Sequence, residues 1–307
     1  MGQLPKPSVR AMRIMVLINA AARKKLSLSD VNAAFQAAGV EAEINRLEGK
    51  RIASAARAAV AAGVDAVVAG GGDGTINTVA GVLVHGQIPL GVLPLGTLNH
   101  FAKDLGIPLD FEEAVRVVAQ SNVRRIDVGQ VNNHIFLNNS SIGLYPRIVK
   151  RREEIRERLG RGKWLAMLTA SITVFRRFPL MRVRLVVDGQ GWSEPRTTPF
   201  VFIGNNEYQM HLFALGSRDY LDKGRLSLYV PNRTGRFGLL WLALLALVNQ
   251  LEQTKDFDLC QAQEIWIDTR KRALRISLDG EVTRIQPPLY YRSLAGALPV
   301  LAPEIAV

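Results

Sequence analysis

Short apolar runs alternate with helical segments over the first 120 residues or so, and this alternation restricts the fold more than any other feature of the chain. The runs at 14–18, 64–69 and 88–93 are typical of strands buried on both faces. Helices are predicted between them, over about 50–62 and 75–85 among others. Strands that alternate with helices form βαβ units, so a parallel sheet covered on both faces is predicted.

One helix of this region has clear end signals. Ser29 is predicted to cap its start, and Gly39 is predicted to end it. Val31 and Phe35 are four residues apart, so they lie on one apolar face. This spacing predicts a helix that packs against the sheet.

The second half of the chain has a different pattern, with predicted strands and few helices between them. These strands are 127–138, 181–188, 199–204, 225–231, 263–268, 273–278 and 288–292. We therefore predict an α/β domain over residues 1–127 and an antiparallel β-sandwich over residues 128–307. Helical inserts are expected at about 147–178 and 236–252, and the C-terminal tail could return to the first domain.

Positive charge is concentrated in one part of the chain. The net charge is +12, and the window 147–184 contains twelve Lys and Arg residues against three Glu residues. Such a field attracts phosphates, anionic lipid surfaces or nucleic acid, and charge alone does not choose among them. A solvated helix face explains the same pattern without any ligand.

Compartment and membrane signals are few. The longest uncharged apolar runs, 164–175 and 237–251, are shorter than the ~18–20 residues that cross a bilayer. The single cysteine, Cys260, cannot form an internal disulfide, which favours a reducing compartment. We therefore expect a cytoplasmic protein.

The strongest chemical signal is a glycine-rich turn, Gly70-Gly71-Gly72-Asp73-Gly74-Thr75, directly after a predicted strand. Consecutive glycines let backbone N–H groups approach a ligand closely, and the start of the next helix adds positive potential that suits phosphate. A carboxylate beside phosphates makes sense when a divalent cation lies between them, which is the role expected for Asp73. The simpler alternative is an ordinary turn in which Asp73 caps the helix.

A second turn, Pro94-Leu95-Gly96-Thr97-Leu98-Asn99, follows the next predicted strand. Gly96 permits close approach, and Thr97 and Asn99 carry short hydrogen-bonding side chains at a helix start. The carboxyl ends of parallel strands lie at one edge of a sheet, so the two turns are predicted to line one site. The chain has neither a G-x-x-x-x-G-K-[ST] loop nor a G-x-G-x-x-G fingerprint, which leaves the commoner nucleotide folds unsupported.

A third signal, Asp279-Gly280-Glu281, lies late in the second domain. Two carboxylates that flank a glycine at a strand end could supply a general base. A type I′ hairpin turn at Asp279-Gly280 is equally consistent with these residues.

Three motifs together resemble the diacylglycerol kinase catalytic-domain family, which includes bacterial lipid kinases and sphingosine and ceramide kinases. They are GGDGTIN at 71–77, PLGTLNHFA at 94–102 and LDGE at 278–281, and the similarity in order covers about residues 12–301. GGDGT is also shared with NAD kinases and their distant phosphofructokinase relatives, whereas the other two motifs favour lipid kinases.

The resemblance implies a Rossmann-like nucleotide domain and a β-sandwich, with the active site in the cleft between them. It implies that Glu281 accepts a proton with Asp279 as its close partner, and that Asp73 and Asp127 belong to an acidic network around Mg²⁺. Asp127 stands in the family-like Ile126-Asp127-Val128-Gly129. The residues implied in ATP binding are Asn19, Asn45, Gly71, Gly72, Asp73, Gly74, Thr75, Ile76, Asn77, Gly96, Thr97 and Asn99.

The chain departs from the family pattern at three places. The first loop, usually N-P-x-S-G, keeps only Asn19 in Asn19-Ala20-Ala21-Ala22-Arg23. A motif that often ends D-D-G and holds a structural magnesium reads Asp222-Lys223-Gly224, so Lys223 replaces the expected ligand, and its ammonium could stand in for the cation. The glycine-rich stretch after N-G-x-x is altered at residues 205–210.

These observations predict an ATP- and Mg²⁺-dependent kinase that phosphorylates the hydroxyl of a diacylglycerol-like lipid. Its partners would be the lipid and an anionic membrane at the inner face, approached through the basic window and the apolar stretch 237–248. We expect no nucleic-acid partner, and a homodimer is one of the states left open. The alternatives are a kinase of a soluble substrate such as NAD, and a non-catalytic lipid- or nucleic-acid-binding protein.

Overall fold

The computed structural model describes residues 12–143, 180–191, 195–207, 210–211, 214–215, 218, 220–231 and 257–304. The chain divides into two compact units. The first contains residues up to Arg124 and the residues from Leu298 onward, and the second contains Arg125–Ala297.

The first unit is an α/β domain. Its helices and strands are β1 (Ile14–Asn19), α1 (Leu28–Ala37), β2 (Ala42–Leu47), α2 (Gly49–Ala61), β3 (Ala66–Gly71), α3 (Asp73–Leu83), β4 (Leu90–Pro94), α4 (His100–Asp104) and α5 (Phe111–Gln120). The four strands pair in parallel in the order β4-β3-β1-β2. All six residues of β3 are buried, as expected for a strand covered on both faces.

The start of α1 differs from the sequence prediction. Ser27, not Ser29, caps the helix: its hydroxyl accepts from Asp30 N at 3.0 Å, and the Asp30 carboxylate accepts from Ser27 N at 3.3 Å. Asp30 lies three residues after Ser27, where its carboxylate can reach back to the amide of the capping residue. The predicted apolar face is confirmed, because Val31 and Phe35 are buried.

The second unit is composed of strands in the part of the chain that the structure describes. They are β5 (Val123–Val131, which begins in the first unit), β6 (His134–Phe136), β7 (Asn139–Gly143), β8 (Met181–Val187), β9 (Gln190–Gly191), β10 (Arg196–Thr198), β11 (Phe200–Asn205), β12 (Met210–His211), β13 (Ala214–Leu215), β14 (Leu226–Pro231), β15 (Phe257–Ala262), β16 (Glu264–Asp268), β17 (Leu274–Leu278), β18 (Glu281–Ile285) and β19 (Leu289–Leu301). The single strand predicted over 127–138 is instead a hairpin of β5 and β6, with a positive φ of 49° at Asn132 in the turn.

Two sheets of the second unit enclose one apolar core. The first contains β10-β8-β16-β19, with β5 beside β19, and the second has the order β15-β14-β11-β7-β17-β18. Buried side chains of both sheets, such as Val183 and Ile265 from the first and Ile203 and Ile276 from the second, belong to one hydrophobic cluster. The predicted fold class, an α/β domain and an antiparallel β-sandwich, is confirmed.

Strand β19 is much longer than the predicted segment 288–292 and continues into the first unit. There Val300 pairs in parallel with Leu90 of β4, and Ala302 N donates to Asn122 O at 3.1 Å. The end of the chain therefore adds a fifth strand to the α/β sheet.

Several sequence predictions fall on residues outside the described ranges. These are both helical inserts, the apolar stretches 164–175 and 237–251, and most of the basic window, of which Arg182 and Arg184 are described. Among the helices that are described, none is both long and apolar enough to span a membrane.

Candidate active site

Three parallel strands of the first unit end side by side. The last residue of β3, Gly71, pairs with Pro94 at the end of β4, and Gly70 pairs with Ile18 of β1. The segments that follow these strands therefore leave the sheet at one edge, where ligands of such folds bind. This register confirms that both glycine-bearing turns lie at the same edge.

The two turns touch through their backbones at Gly72 and Gly96. A Cβ added to Gly96 would lie 2.4 Å from Gly72 Cα and 2.7 Å from Asn99 Oδ1, distances that no real side chain adopts. Only glycine fits at residue 96, because any side chain would push the turns apart. The close approach leaves a wall made of main-chain groups.

Asn19 links the end of β1 to this wall. Its Nδ2 donates to Thr75 Oγ1 at 2.9 Å, and its Oδ1 accepts from Ala21 N at 2.9 Å. Thr75 packs in turn against the Gly71 backbone, where an added Cβ would lie 2.6 Å from Thr75 Oγ1. Both side chains therefore shape the site, whether or not they also contact a ligand.

Asn99 shapes the second turn in the same way. It adopts a left-handed conformation with φ 51° and is buried. Its Oδ1 accepts from Gly96 N at 3.0 Å, while its Nδ2 donates to Gly96 O at 3.3 Å and to Pro94 O at 3.4 Å. Asparagine tolerates this backbone region better than most residues, which explains its place here. Thr97 between them is exposed.

The start of α3 presents amides and a carboxylate together. Thr75 N and Ile76 N donate to Gly72 O at 2.9 and 3.1 Å, so the amides of Asp73 and Gly74 precede the first bonds within the helix. Such amides, with the helix dipole behind them, attract anions.

The Asp73 carboxylate fits a magnesium ligand. It is half-buried, and its Oδ1 accepts from Phe101 N at 3.2 Å, which holds the side chain in place. The other oxygen has no hydrogen-bond partner among the described residues. Carboxylate oxygens are the ligands that Mg²⁺ prefers, usually with phosphate and water completing its shell.

The remaining residues that were predicted to bind the nucleotide differ in which of their groups could contact it. Ile76 is fully buried, so its side chain belongs to the core and only its backbone could face a ligand. Asn77 Oδ1 is buried without a partner among the described residues, which suits a ligand contact. Asn45 lies on β2 beside Leu17, and its Nδ2 donates to Glu43 Oε1 at 3.1 Å.

The loop after β1 contains cations that the predicted site omits. Arg23, Lys24 and Lys25 are exposed, and Lys24 N donates to Leu95 O at 3.2 Å. This bond places the loop against the second glycine turn, so three positive side chains border the same edge. The sequence signal for them was a run of three basic residues that begins four residues after the end of β1.

In the second unit, Asp279-Gly280 forms a two-residue hairpin turn. Both residues have positive φ, 48° and 88°, and Leu278 pairs with Glu281 across the turn. Positive φ at both central residues defines type I′, so the hairpin interpretation is confirmed. Glu281 is the first residue of β18 and is exposed.

The Asp279 side chain points away from solvent toward the backbone of residues 137–139. Its carboxylate accepts from Leu137 N at 2.7 Å, Asn138 N at 2.8 Å and Asn139 N at 2.9 Å. Burial raises the pKa of this carboxyl to about 6, because it outweighs the three amide bonds and the positive charge of Arg218. The residue keeps some exposed surface, while the carboxyl itself is enclosed.

Asp127 has a similar structural role in β5. Its Oδ2 accepts from Gly224 N at 2.5 Å, and its Oδ1 accepts from Gly296 N at 2.8 Å. Its own amide donates to Leu221 O at 2.8 Å. Because each oxygen already binds an amide, a place among magnesium ligands stays a prediction for Asp127.

Backbone amides of the altered motif Asp222-Lys223-Gly224 are held by side-chain oxygens of distant residues. Lys223 N donates to Asn206 Oδ1 at 3.2 Å, and its ammonium lies 4.2 Å from the centre of the Tyr220 ring. Within the described ranges, no three His, Cys, Asp or Glu side chains come together as a metal site.

Comparisons with known proteins relate this chain to one family of kinases. Residues 13–131 match the family model of the diacylglycerol kinase catalytic domain. A probable lipid kinase, YegS-like, from Pseudomonas putida is 32% identical over 235 residues, covering 73% of this chain and 72% of the relative. A YegS-like relative from Chromohalobacter salexigens is 43% identical over 97 residues, only 30% of this chain and 31% of that protein.

A solved structure extends the likeness in fold to nearly the whole chain. A candidate diacylglycerol kinase from Bacillus anthracis superposes with a TM-score of 0.75, covering 96% of this chain and 98% of that one, at 21% identity. Structural likeness at this identity shows the fold, whereas the Pseudomonas putida relative shows the family. The chain belongs to the family of YegS-like lipid kinases with a diacylglycerol kinase catalytic domain.

Proposed function

We propose that this lipid kinase uses ATP and Mg²⁺ to phosphorylate the hydroxyl of diacylglycerol or a similar lipid. The observation that carries the proposal is the backbone contact between the turns at Gly72 and Gly96, beside the open start of α3. A surface of main-chain amides suits the phosphates of a nucleotide, because no side chain blocks their approach. The family to which the chain belongs supports phosphoryl transfer to a lipid.

Asp73 would hold the magnesium ion in this mechanism. A bound Mg²⁺ neutralises charge that develops on the transferring phosphoryl group. The bond from Phe101 N keeps one oxygen of the carboxylate in place and leaves the other to face a cation. The exposed cations Arg23, Lys24 and Lys25 at the same sheet edge would attract the triphosphate.

Glu281 would accept the proton of the lipid hydroxyl. It is exposed, and its backbone position is set by a two-residue turn that allows little variation. Asp279 would act as a positioning residue, since its carboxyl holds the turn to the amides of residues 137–139 rather than to a reacting group.

The first prediction tests these two roles. Asp73→Asn and Glu281→Gln should each lower phosphorylation of a lipid panel by radiolabelled ATP by about a hundredfold or more, since a placed base alone contributes ~10²–10⁴-fold. Circular dichroism should show both variants folded. Glu113→Gln, an exposed carboxylate in the first turn of α5, is the matched control and should keep full activity.

The outcomes separate the competing readings. Full lipid phosphorylation by either variant would exclude that residue from its proposed role. Labelling of NAD without lipid, and of no lipid in the panel, would contradict a lipid acceptor. Calorimetry that detects no ATP binding to the folded wild-type protein would overturn the nucleotide site itself.

A further inference from the structure

The outer face of one sheet in the second unit has an exposed aromatic pair. Trp266 of β16 is 41% exposed and stacks on Tyr290 of β19, with ring centres 4.3 Å apart and planes at 28°. The two residues are direct cross-strand partners, and Val186 of β8 lies opposite Trp266 on its other side. An apolar row therefore crosses three neighbouring strands on the solvent side of the sandwich.

The same face is strongly basic at one end. Arg182 and Arg184 of β8 alternate with the buried residues Met181 and Val183, so they point outward. The turn after β16 adds three exposed cations, Arg270, Lys271 and Arg272. Thr269 Oγ1 donates to Arg182 O at 3.0 Å, which fixes that turn beside the arginines.

Acidic residues do not cancel this charge at the basic end. Among the described residues at this end, the exposed carboxylate is Asp268, which lies opposite Arg184 in the strand register. The acidic residues Asp188 and Glu264 lie beyond the aromatic pair, toward the other end of the strands. Arg292 is the cross-strand partner of Glu264, and Tyr290 Oη donates to the same carboxylate at 2.6 Å.

We propose that this aromatic–basic face docks the protein on an anionic phospholipid membrane. Tryptophan and tyrosine are the residues enriched at membrane interfaces, where an apolar ring and a polar tip are both satisfied. Basic side chains near an anionic leaflet are attracted to its negative surface potential, so the clustered cations favour reversible binding at this face. The proposal rests on the proposed lipid acceptor, because an acceptor held in a bilayer must be reached there.

Vesicle sedimentation of the full chain tests the charge contribution. Arg182→Gln/Arg184→Gln should lower partitioning onto phosphatidylglycerol-containing vesicles by about tenfold or more. Arg57→Gln/Arg116→Gln removes the same charge from exposed positions on α2 and α5 and should change partitioning less than twofold. Equal losses in the two double variants would contradict a docking surface and leave only an effect of net charge.

Fluorescence tests the aromatic contribution. Brominated phospholipids quench tryptophan within the membrane interface, so wild-type protein should lose more emission than Trp266→Phe does. Equal quenching of the two proteins would show that Trp266 stays in water and would overturn the proposal. The arginine variants could instead lose self-association or RNA binding while their vesicle binding stays unchanged. That result would assign the face to another partner and would also overturn the membrane proposal.

These measurements need no ATP and no turnover, so they separate docking from catalysis. If vesicle binding fails while detergent-dispersed lipid is still phosphorylated, the docking surface is wrong and the proposed function stands. If vesicle binding succeeds while no lipid is phosphorylated, the proposed function is wrong.

Discussion

Single residues decide whether the two turns can form a nucleotide site. Gly72 and Gly96 lie against each other, yet only Gly96 has no room for a side chain. An added Cβ on Gly72 would sit 3.4 Å from Gly96 Cα, at the edge of ordinary contact, and Gly72 has a negative φ of −90°. The two glycines are therefore different: Gly96 is required by packing, while Gly72 is open toward a ligand.

The pair Gly96→Ala and Gly72→Ala tests that difference. Gly96→Ala should lower the free energy of unfolding by about 1–3 kcal/mol, because its Cβ forces the turns apart. Gly72→Ala should leave stability nearly unchanged and weaken ATP binding, since its methyl group would occupy the space of a phosphate. Urea denaturation and calorimetry give the two readouts, and equal stability of the two variants would contradict the packing argument.

At the scale of hairpins and strands, the local backbone decides where the predicted site residues of the second unit point. The β17–β18 hairpin brings Asp279 into the turn, where left-handed backbone at two successive residues turns its carboxyl back onto residues 137–139. Strand β19 passes Gly296, which has a φ of 57° and donates to Asp127. In both places an acidic side chain binds main-chain amides and fixes a bend.

The pH dependence of stability reports on the hairpin. The pKa of Asp279 rises from 3.8 to about 6 on folding, so between about pH 4 and 6 the native state binds more protons than the unfolded state. Its contribution to the free energy of unfolding therefore falls as pH rises through the folded pKa and becomes constant above about pH 7. Asp279→Asn should abolish that part of the pH dependence.

Thermal or urea unfolding of both proteins at pH 4, 5, 6 and 7 provides the measurement. The stability difference, wild type minus variant, should decrease most between pH 4 and 6 and level off near pH 7. A difference that is constant across the whole range would show that Asp279 has the same pKa in both states.

The whole molecule consists of two units with separate chemical surfaces. The first has the glycine turns and the cations after β1, and the second has the aromatic–basic face. Strand β19 belongs to both units, since it leaves the second to join the sheet of the first. Nucleotide and membrane are thus expected to contact different parts of the chain.

Hydrogen-exchange mass spectrometry tests this separation. A non-hydrolysable ATP analogue with Mg²⁺ should slow exchange in residues 70–78 and 94–101 and leave residues 181–187 and 264–272 unchanged. Anionic vesicles should slow exchange in 181–187 and 264–272. Protection of the same peptides by both ligands would mean that the two proposed surfaces are one.

The sequence by itself determined the class of the fold and identified the glycine-rich turns as places of close backbone approach. Both follow from local properties: periodicity separates strands that alternate with helices from strands that do not, and consecutive glycines after a strand predict a close approach. Strand ends could also be placed at one edge, because parallel pairing leaves them no other arrangement. The predicted cap of α1 was wrong by two residues, since two nearby serines can each start the helix and the structure shows that Ser27 pairs with Asp30.

Only the tertiary structure decided what the polar side chains do. Asp279 was expected beside the proton acceptor and Asp127 near a magnesium ion, and the structure shows that both carboxylates bind amides from segments that are distant along the chain. Nothing local predicts such partners, just as nothing local predicts that Val300 joins β4 or that Trp266 stacks on Tyr290. Periodicity is a property of neighbours in sequence, whereas hydrogen-bond satisfaction and side-chain stacking depend on which distant strands meet.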